Sequence, residues 1–548
     1  MNSIKKPDPI PFRLTIGVTG HRTLENVEVL SEKIKSVIDR ILEKFPETKN
    51  TSVLLRVLSP LAEGSDRLVA EEILKYDKAE LKAILPLAVD DYVEDFQSEE
   101  SKKEFETLLG KADYQYIINK KPLREISSDE SISEIKKQAY EDTGRYIVNH
   151  SDVLISIWDE MPLQGKGGTA SIVEYAKSKG CPVFNISPDP NGEIKFIKGN
   201  GFDNDLFKQI DKFNSFNPID KIWLNYAEEN SKIFFGNNGT NEQYIIPEVN
   251  KSVAEDLLLP YYTHSEIFAE KNQRWYHSIG LIVFWMSFLS VATVAYGEIF
   301  FDHIPKYIFI IELLFLLIIS FLIFFSHKRA THRNYIENRI LTEHLRTDII
   351  LIICGIRVSP PQYIRHIESS YAKNGWMILL LEHILSKVPL LSHDPASTLH
   401  IIKNYIRKVW INSQIEYHKR RKEKLRNKNE VLTSLGNLIF YLAIFIALIH
   451  IFVTIDSQNL DNVLIFAVLL LPALGATITA IKTHRDYKKI LTDSTIILNE
   501  LENLDYEFRK PLTQTRLKVL IERAEKIMRR ESEEWLELLA SKELEKAV

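Results

Sequence analysis

Residues 278–296 read SIGLIVFWMSFLSVATVAY, and residues 307–325 read YIFIIELLFLLIISFLIFF. Each is an apolar run of about 20 residues, the length of helix that crosses a bilayer's hydrocarbon core. A second pair, Leu435–Phe452 and Val463–Ile481, repeats the plan. Short loops, Gly297–Lys306 and Asp456–Asn462, join the members of each pair, so the chain is expected to carry two membrane hairpins. Buried helices of a large soluble protein are the alternative. They would not be expected to give four separate long runs with consistent flanking charge.

The charges that flank these runs set an orientation. Lys271 and Arg274 precede the first run, and His327-Lys-Arg329 follow the second. The basic stretch His418-Lys-Arg-Arg-Lys-Glu-Lys424, with Arg426 and Lys428, precedes the third run, and Lys482, Arg485, Lys488 and Lys489 follow the fourth. The two loops carry Glu298, Asp302, Asp456 and Asp461 against Lys306. The positive-inside rule then places both tips outside and everything else, including both termini, in the cytoplasm. Within the runs the main ionisable residues are Glu312 and His450, pore-lining candidates or residues between packed helices or near a wet interface.

A chain of 548 residues suggests three or more units. Its net charge of −5 argues against general nucleic-acid binding. Cys181 and Cys354 have no paired spacing, which disfavours a disulfide framework or a cysteine zinc site and fits cytosolic soluble parts. Met1–Pro11 is polar and is not expected to be a signal peptide, so the first apolar run would direct insertion.

Ahead of the membrane half, short apolar stretches alternate with amphipathic ones. Expected strands are Leu14–Thr19, Val53–Leu58, Leu81–Leu87, Val153–Trp158 and Val183–Ile186. Expected helices are Val27–Lys44, Arg67–Lys75, Ile132–His150 and Ser171–Ser178. That alternation predicts an α/β fold with a doubly wound parallel sheet, followed by an all-α membrane domain. The expected boundaries are 1–190 for the α/β domain, 191–270 for an extension and connector, 271–356 for the first hairpin and its cytoplasmic helix, 357–430 for a cytoplasmic helical region, 431–510 for the second hairpin and its helix, and 511–548 for a final helix. Leu491, Leu498, Leu501 and Phe508 share one face of a helix Tyr487–Phe508, read as core or subunit contact.

In doubly wound sheets the ligand sits beyond the C-terminal strand ends. Three loops there have suitable residues. In Gly17-Val-Thr-Gly-His-Arg22, Gly20 permits close phosphate approach, Arg22 supplies a charged fork, and His21 reads as a hydrogen-bonding loop residue. A tight strand-to-helix turn explains the glycines equally well. In Leu61-Ala-Glu-Gly-Ser-Asp-Arg67, Gly64 allows the turn, Ser65 or Asp66 can equally cap the next helix, and Glu63 is a candidate acceptor for ribose hydroxyls; Glu63, Gly64, Ser65 and Arg67 are the ligand-binding candidates of this loop. The third loop, Gly165-Lys-Gly-Gly-Thr169, follows the strand ending near Asp159 and opens a helix. Gly165, Gly167, Gly168 and Thr169 would gather backbone N–H groups and a helix dipole around an anion, with Lys166 either a phosphate contact or a solvated loop residue. It is neither a Walker A loop nor the GxGxxG dinucleotide fingerprint. In Asp90-Asp-Tyr-Val-Glu-Asp-Phe96, Tyr92 or Phe96 is a candidate for stacking on a base.

Together these residues resemble the SLOG superfamily, the Rossmann-like group containing LOG-type phosphoribohydrolases, DprA-type proteins and nucleotide-sensing domains of bacterial defence systems. The matching elements are Gly17–Arg22, Ala62–Arg67, Ile84–Leu87, and Ser151–Asp159 with Gly167-Gly-Thr169, Tyr175-Ala and Cys181-Pro-Val183. They cover about the first third of the chain. The membrane half resembles SLATT-type two-pass effector modules, through Trp275-Tyr276 before the first hairpin, Ala330–Leu345 after it and Glu534-Trp-Leu536 near the end. One departure matters. LOG-type hydrolases carry GGxGTxxE, whereas three positions after Thr169 this chain has Ile172, with Glu174 two residues later. That moves the carboxylate about 200° around the helix.

The resemblance therefore implies binding without turnover. The expected protein is a multi-pass effector of the bacterial inner membrane that senses a nucleotide-derived second messenger, a cyclic nucleotide or a product of NAD. No cofactor or metal is expected. A homo-oligomer, the lipid bilayer and a signal-producing enzyme encoded nearby are the expected partners, and antiphage defence through membrane permeabilisation is the expected role. Two alternatives stand beside it: a tethered N-glycoside hydrolase of a nucleotide or NAD using Glu63, Arg67 and Glu174, and a ligand-independent channel.

Overall fold

A computed structural model describes residues 5–121, 123, 129–161, 168–197, 199, 204–236, 248–356, 375–389, 395–453 and 457–544. They form two compact units, one of Asp8–Asn217 with Tyr363–Leu380, the other of Met1–Pro7, Pro218–Gln362 and Leu381–Val548.

The first unit is built on a seven-stranded sheet in the order β4-β3-β2-β1-β5-β6-β7. The strands are β1 Phe12–Gly20, β2 Val53–Ser59, β3 Ala79–Leu85, β4 Tyr114–Ile117, β5 Val153–Ile157, β6 Val183–Ile186 and β7 Ile194–Ile197. Every neighbouring pair is parallel except β6–β7. In β2 and β5 almost every residue is buried, on both faces, because helices cover the sheet on each side. The covering helices include α1 Val27–Leu42, α2 Ser65–Ile73, α5 Asp129–Asn149 and α6 Thr169–Lys179, with α3 Val89–Val93 and α4 Glu99–Gly110 between β3 and β4. Asp152 fixes the register of β5 on β1, since its carboxylate accepts from the Thr15 N–H at 2.8 Å.

Two strands depart from the sequence expectation. Edge strand β4, Tyr-Gln-Tyr-Ile, leaves its first two residues exposed and so has no apolar run to announce it. β7 lies in the stretch read as an extension of the domain and a connector, with no strand expected there, and so does α7, Asp205–Ser215. Phe207 of α7 meets Phe12 edge-on at 5.4 Å, and Asn214 exchanges two hydrogen bonds with the Ile10 backbone, so this stretch is integral to the α/β unit.

The second unit is helical. Helices α8 Asp220–Phe235 and α9 Glu248–Val253 lead to a π-helical turn, Ala254–Leu258, and then α10 Leu259–Phe300, α11 Lys306–Arg329 and α12 Thr331–Ile353. After α13 Trp376–Ser386, which belongs to this unit from Leu381 onward, and α14 Pro395–Tyr405 the order recurs: a π-helical turn, Ile406–Asn412, then α15 Ser413–Phe452, α16 Gln458–His484 and α17 Tyr487–Arg509. The two copies have long helices of 42 and 40 residues, and each closes with a helix of 23. Each hairpin is joined to that closing helix through a left-handed residue, Ala330 (φ 47) and Asp486 (φ 49). The duplicated plan in the sequence is thus a duplicated fold. Leu498, Leu501 and Phe508 are buried on α17, and α18 Gln514–Leu544 buries Leu520, Ile521 and Ala524.

Four helical stretches are long and apolar enough to cross a membrane, and only 6–11% of each apolar window is buried. Side chains such as Leu317, Phe321, Phe440 and Ile451 stand exposed along them. Bands of this kind are unfavourable in water and suit lipid. The chain is a membrane protein. His450 pairs with Asp461 across the second hairpin at 3.0 Å.

Candidate functional site

The sheet order reverses between β1 and β5, because β1 is followed in sequence by β2 on one side and is flanked by β5 on the other. The crevice beyond these two strand ends is the ligand position that an open parallel sheet offers. Gly20, the last residue of β1, pairs with Ile157, the last of β5, and the His21 N–H donates to the Ile157 carbonyl at 3.1 Å. The His21 ring then lies 3.3 Å from the Asp159 carboxylate. α6 begins at Thr169, so its positive end faces the same strand edge, with Gly168 exposed just before it. Gly165, Lys166 and Gly167 lie outside the described residues.

The second loop locks onto the first. Gly64 has φ +78, and a Cβ there would strike the carbonyls of His21 and Arg22. The next residue, Ser65, donates to the His21 carbonyl from both its N–H (3.0 Å) and its hydroxyl (2.8 Å). At Gly20 a Cβ would collide with the Ser65 side chain and lie 2.8 Å from the Ile157 carbonyl. These glycines are therefore required by loop-on-loop packing at the site. Of the two readings open for Ser65 and Asp66, capping is not what the structure shows: Gly64 precedes α2 with no side-chain cap, and both residues are buried.

Asp66 is the residue whose role the sequence concealed. It is 7% exposed, and its Oδ1 is buried without a hydrogen-bond partner among the described residues. Burial pushes the carboxyl up to about 8, against the pull of Arg22 and Arg67. Near neutral pH it is therefore mostly a neutral acid, able to donate a proton or a hydrogen bond. Arg22 lies 5.3 Å over the Tyr140 ring, and Tyr140 in turn donates to Asp95 at 2.6 Å, where Lys136 also pairs. A neutral acid and a held carboxylate thus lie close to the exposed Arg22 of the β1 loop.

Arg67 is placed differently from the sequence expectation of a ligand contact. It is buried and donates to the Leu61 carbonyl at 3.1 Å and to the Ser101 carbonyl and hydroxyl at 2.9 Å, which ties α2 to α4. Glu63 Oε1 accepts from the Ser101 hydroxyl (2.5 Å) and the Gln97 N–H (3.1 Å). Burial works to raise its carboxyl, but these bonds and the nearby arginines hold it below the usual carboxylate range. Tyr92 and Phe96 are core rather than stacking platforms: Tyr92 is fully buried, with Phe96 at 5.1 Å and Phe105 at 5.6 Å. On α6, Ile172 is buried, whereas Glu174 is exposed and pairs with Lys177 at 3.6 Å.

The structure therefore brings Gly20, His21, Arg22, Gly64 and Ser65 together with Asp159, and adds Asp66, Tyr140 and Asp95 beneath them. Among the described residues no cluster of His, Cys, Asp and Glu could hold a metal ion. A family model described as "SMODS and SLOG-associating 2TM effector domain 1" matches residues 405–535, which span the second π-helical turn, α15, α16, α17 and most of α18. No curated protein matches the chain.

Proposed function

We propose that this chain is a membrane effector whose SLOG-like α/β domain senses a nucleotide-derived second messenger and whose hairpins perturb or permeabilise the bilayer in response. The observation that carries the reading is the switch point between β1 and β5, where the exposed Arg22 and the Gly20–Ser65 packing lie at the same strand edge as the start of α6, on the same chain as the matched effector region. A phosphate fits the positive end of α6 and the Arg22 guanidinium, and the buried Asp66 in its acid form adds no negative charge behind them. The likeness to nucleotide-sensing SLOG domains suggests a cyclic nucleotide or an NAD-derived product. Basic flanks on every apolar run support cytoplasmic termini and a bacterial inner-membrane location. Antiphage defence, homo-oligomeric assembly and a signal-making enzyme encoded nearby belong to the same reading.

The ligand must favour the membrane-active state, since equal affinity for both states shifts nothing. The tethered hydrolase is disfavoured because Glu174 is exposed and pairs with Lys177, and Arg67 is buried with its Nε and one terminal nitrogen bonded to Leu61 and Ser101. The test is a thermal-shift panel of cyclic mono- and dinucleotides, NAD and ADP-ribose on the full chain, with Arg22→Ala and Glu174→Gln. A stabilising nucleotide lost in Arg22→Ala and kept in Glu174→Gln supports sensing. Release of free base from NAD or a nucleotide, abolished by Glu174→Gln, overturns it in favour of hydrolysis.

A further inference from the structure

A cavity of about 440 Å³ lies within the helical unit, where both hairpins contribute their basic ends. Its walls come from the stretch just before the first apolar run, the start of α12, the basic part of α15 and the junction of α16 with α17. Four cationic side chains line it, Arg274, Arg421, Lys428 and Arg485, against the single carboxylate of Asp486. Arg274 and Lys428 hold corresponding places in the duplicated fold, each fifteen residues after the first residue of its long helix. Arg274 pairs with Glu270 on its own helix at 2.7 Å. Lys428 and Arg485 have no carboxylate partner among the described residues.

Histidines complete the lining. Tyr276 lies between His332 at 4.6 Å and His484 at 4.7 Å, and His277 meets His484 edge-on at 6.0 Å. The His484 ring sits against Gly280, where a Cβ would overlap it, so the hairpins meet closely at this level. A partly enclosed space with such an excess of cationic groups is unfavourable unless an anion shares it. Guanidinium forks match phosphate oxygens, and the cavity's depth, at the basic end of every apolar run, is that of lipid phosphates.

We propose that this cavity binds a phosphate-bearing anion, supplied by an anionic lipid headgroup or by a soluble phosphorylated compound. It is separate from the strand-end crevice and does not depend on the sensing role proposed for it. The test is native mass spectrometry of the full chain from micelles containing phosphatidylglycerol and phosphatidylcholine, with inorganic pyrophosphate as the soluble probe. The wild type retains phosphatidylglycerol over phosphatidylcholine if the phosphate is a lipid's, or pyrophosphate if the source is soluble. Joint replacement Lys428→Ala with Arg485→Ala lowers that retention by roughly 10- to 30-fold. Lys488→Ala with Lys489→Ala removes the same charge from exposed positions outside the cavity and leaves retention unchanged. The charge-keeping pair Lys428→Arg with Arg485→Lys retains the anion. A wild type that retains neither probe overturns the proposal whatever the variants do, as does equal loss in the two alanine pairs.

Discussion

Replacing Asp66 with asparagine tests whether its buried carboxyl is a neutral acid. The amide keeps the shape of the protonated carboxyl and cannot ionise. In the folded chain burial raises the Asp66 carboxyl from 3.8 to about 8. A carboxyl raised by folding contributes stability that is complete below its unfolded value and is lost as pH climbs to the folded one. Wild type should therefore weaken relative to Asp66→Asn between pH 3.8 and about 8, and the gap should level off above that. The slope is at most about 1.4 kcal/mol per pH unit, and the ceiling over the whole window is on the order of 6 kcal/mol. The share of it between roughly pH 5.5 and 8, about 3.4 kcal/mol, corresponds to a relative change in unfolding temperature of roughly 7–14 °C. The assay is thermal unfolding of both full-length proteins in one detergent across this range, read as the difference between them so that all other titrations cancel. Parallel curves, or a gap that widens on acidification, would refute the buried neutral acid.

Other outcomes follow from single contacts. Gly64→Ala forces a side chain onto a backbone at φ +78 and into the carbonyls of His21 and Arg22, and should cost about 2–4 kcal/mol as a lowered unfolding midpoint. It should also disturb the β1 loop, so a nucleotide that stabilises the wild type should lose its effect. Asp505→Ala removes the carboxylate that accepts from Arg407 at 2.6 Å and from Arg509, which ties the second π-helical turn to α17. Its expected cost is about 1–3 kcal/mol, with faster hydrogen exchange in Ile406–Asn412 than in the first hairpin's equivalent turn.

The membrane half was legible because lipid demands long uninterrupted apolar runs, and Tyr307–Phe325 admits few other readings. The central strands were legible for a related reason: a parallel strand buried on both faces, such as Val153–Ile157, has to be apolar throughout. Edge strands carry no such requirement, so Tyr114–Ile117 and Ile194–Ile197 were hidden. The strand-end loops were visible through their glycines, yet the distribution of roles within them was not. Ser65 and Asp66 look like caps in sequence because small polar residues before a helix usually are. Here the loop from β1 comes down on them, which turns Ser65 into a clamp and shuts Asp66 away from water. Arg67 reads as a ligand contact until Ser101, more than thirty residues later, is seen to accept from one of its terminal nitrogens. Such long-range pairings leave no local pattern.

The central claim is that a nucleotide at the α/β crevice controls the membrane segments. Dye release from liposomes containing the purified chain tests this most directly, with cyclic mono- and dinucleotides, NAD and ADP-ribose added in turn. One of these should trigger release from the wild type, and the same compound should fail with Arg22→Ala, even though that variant inserts normally. Release that is equal with and without every compound, or unchanged by Arg22→Ala, would contradict the claim.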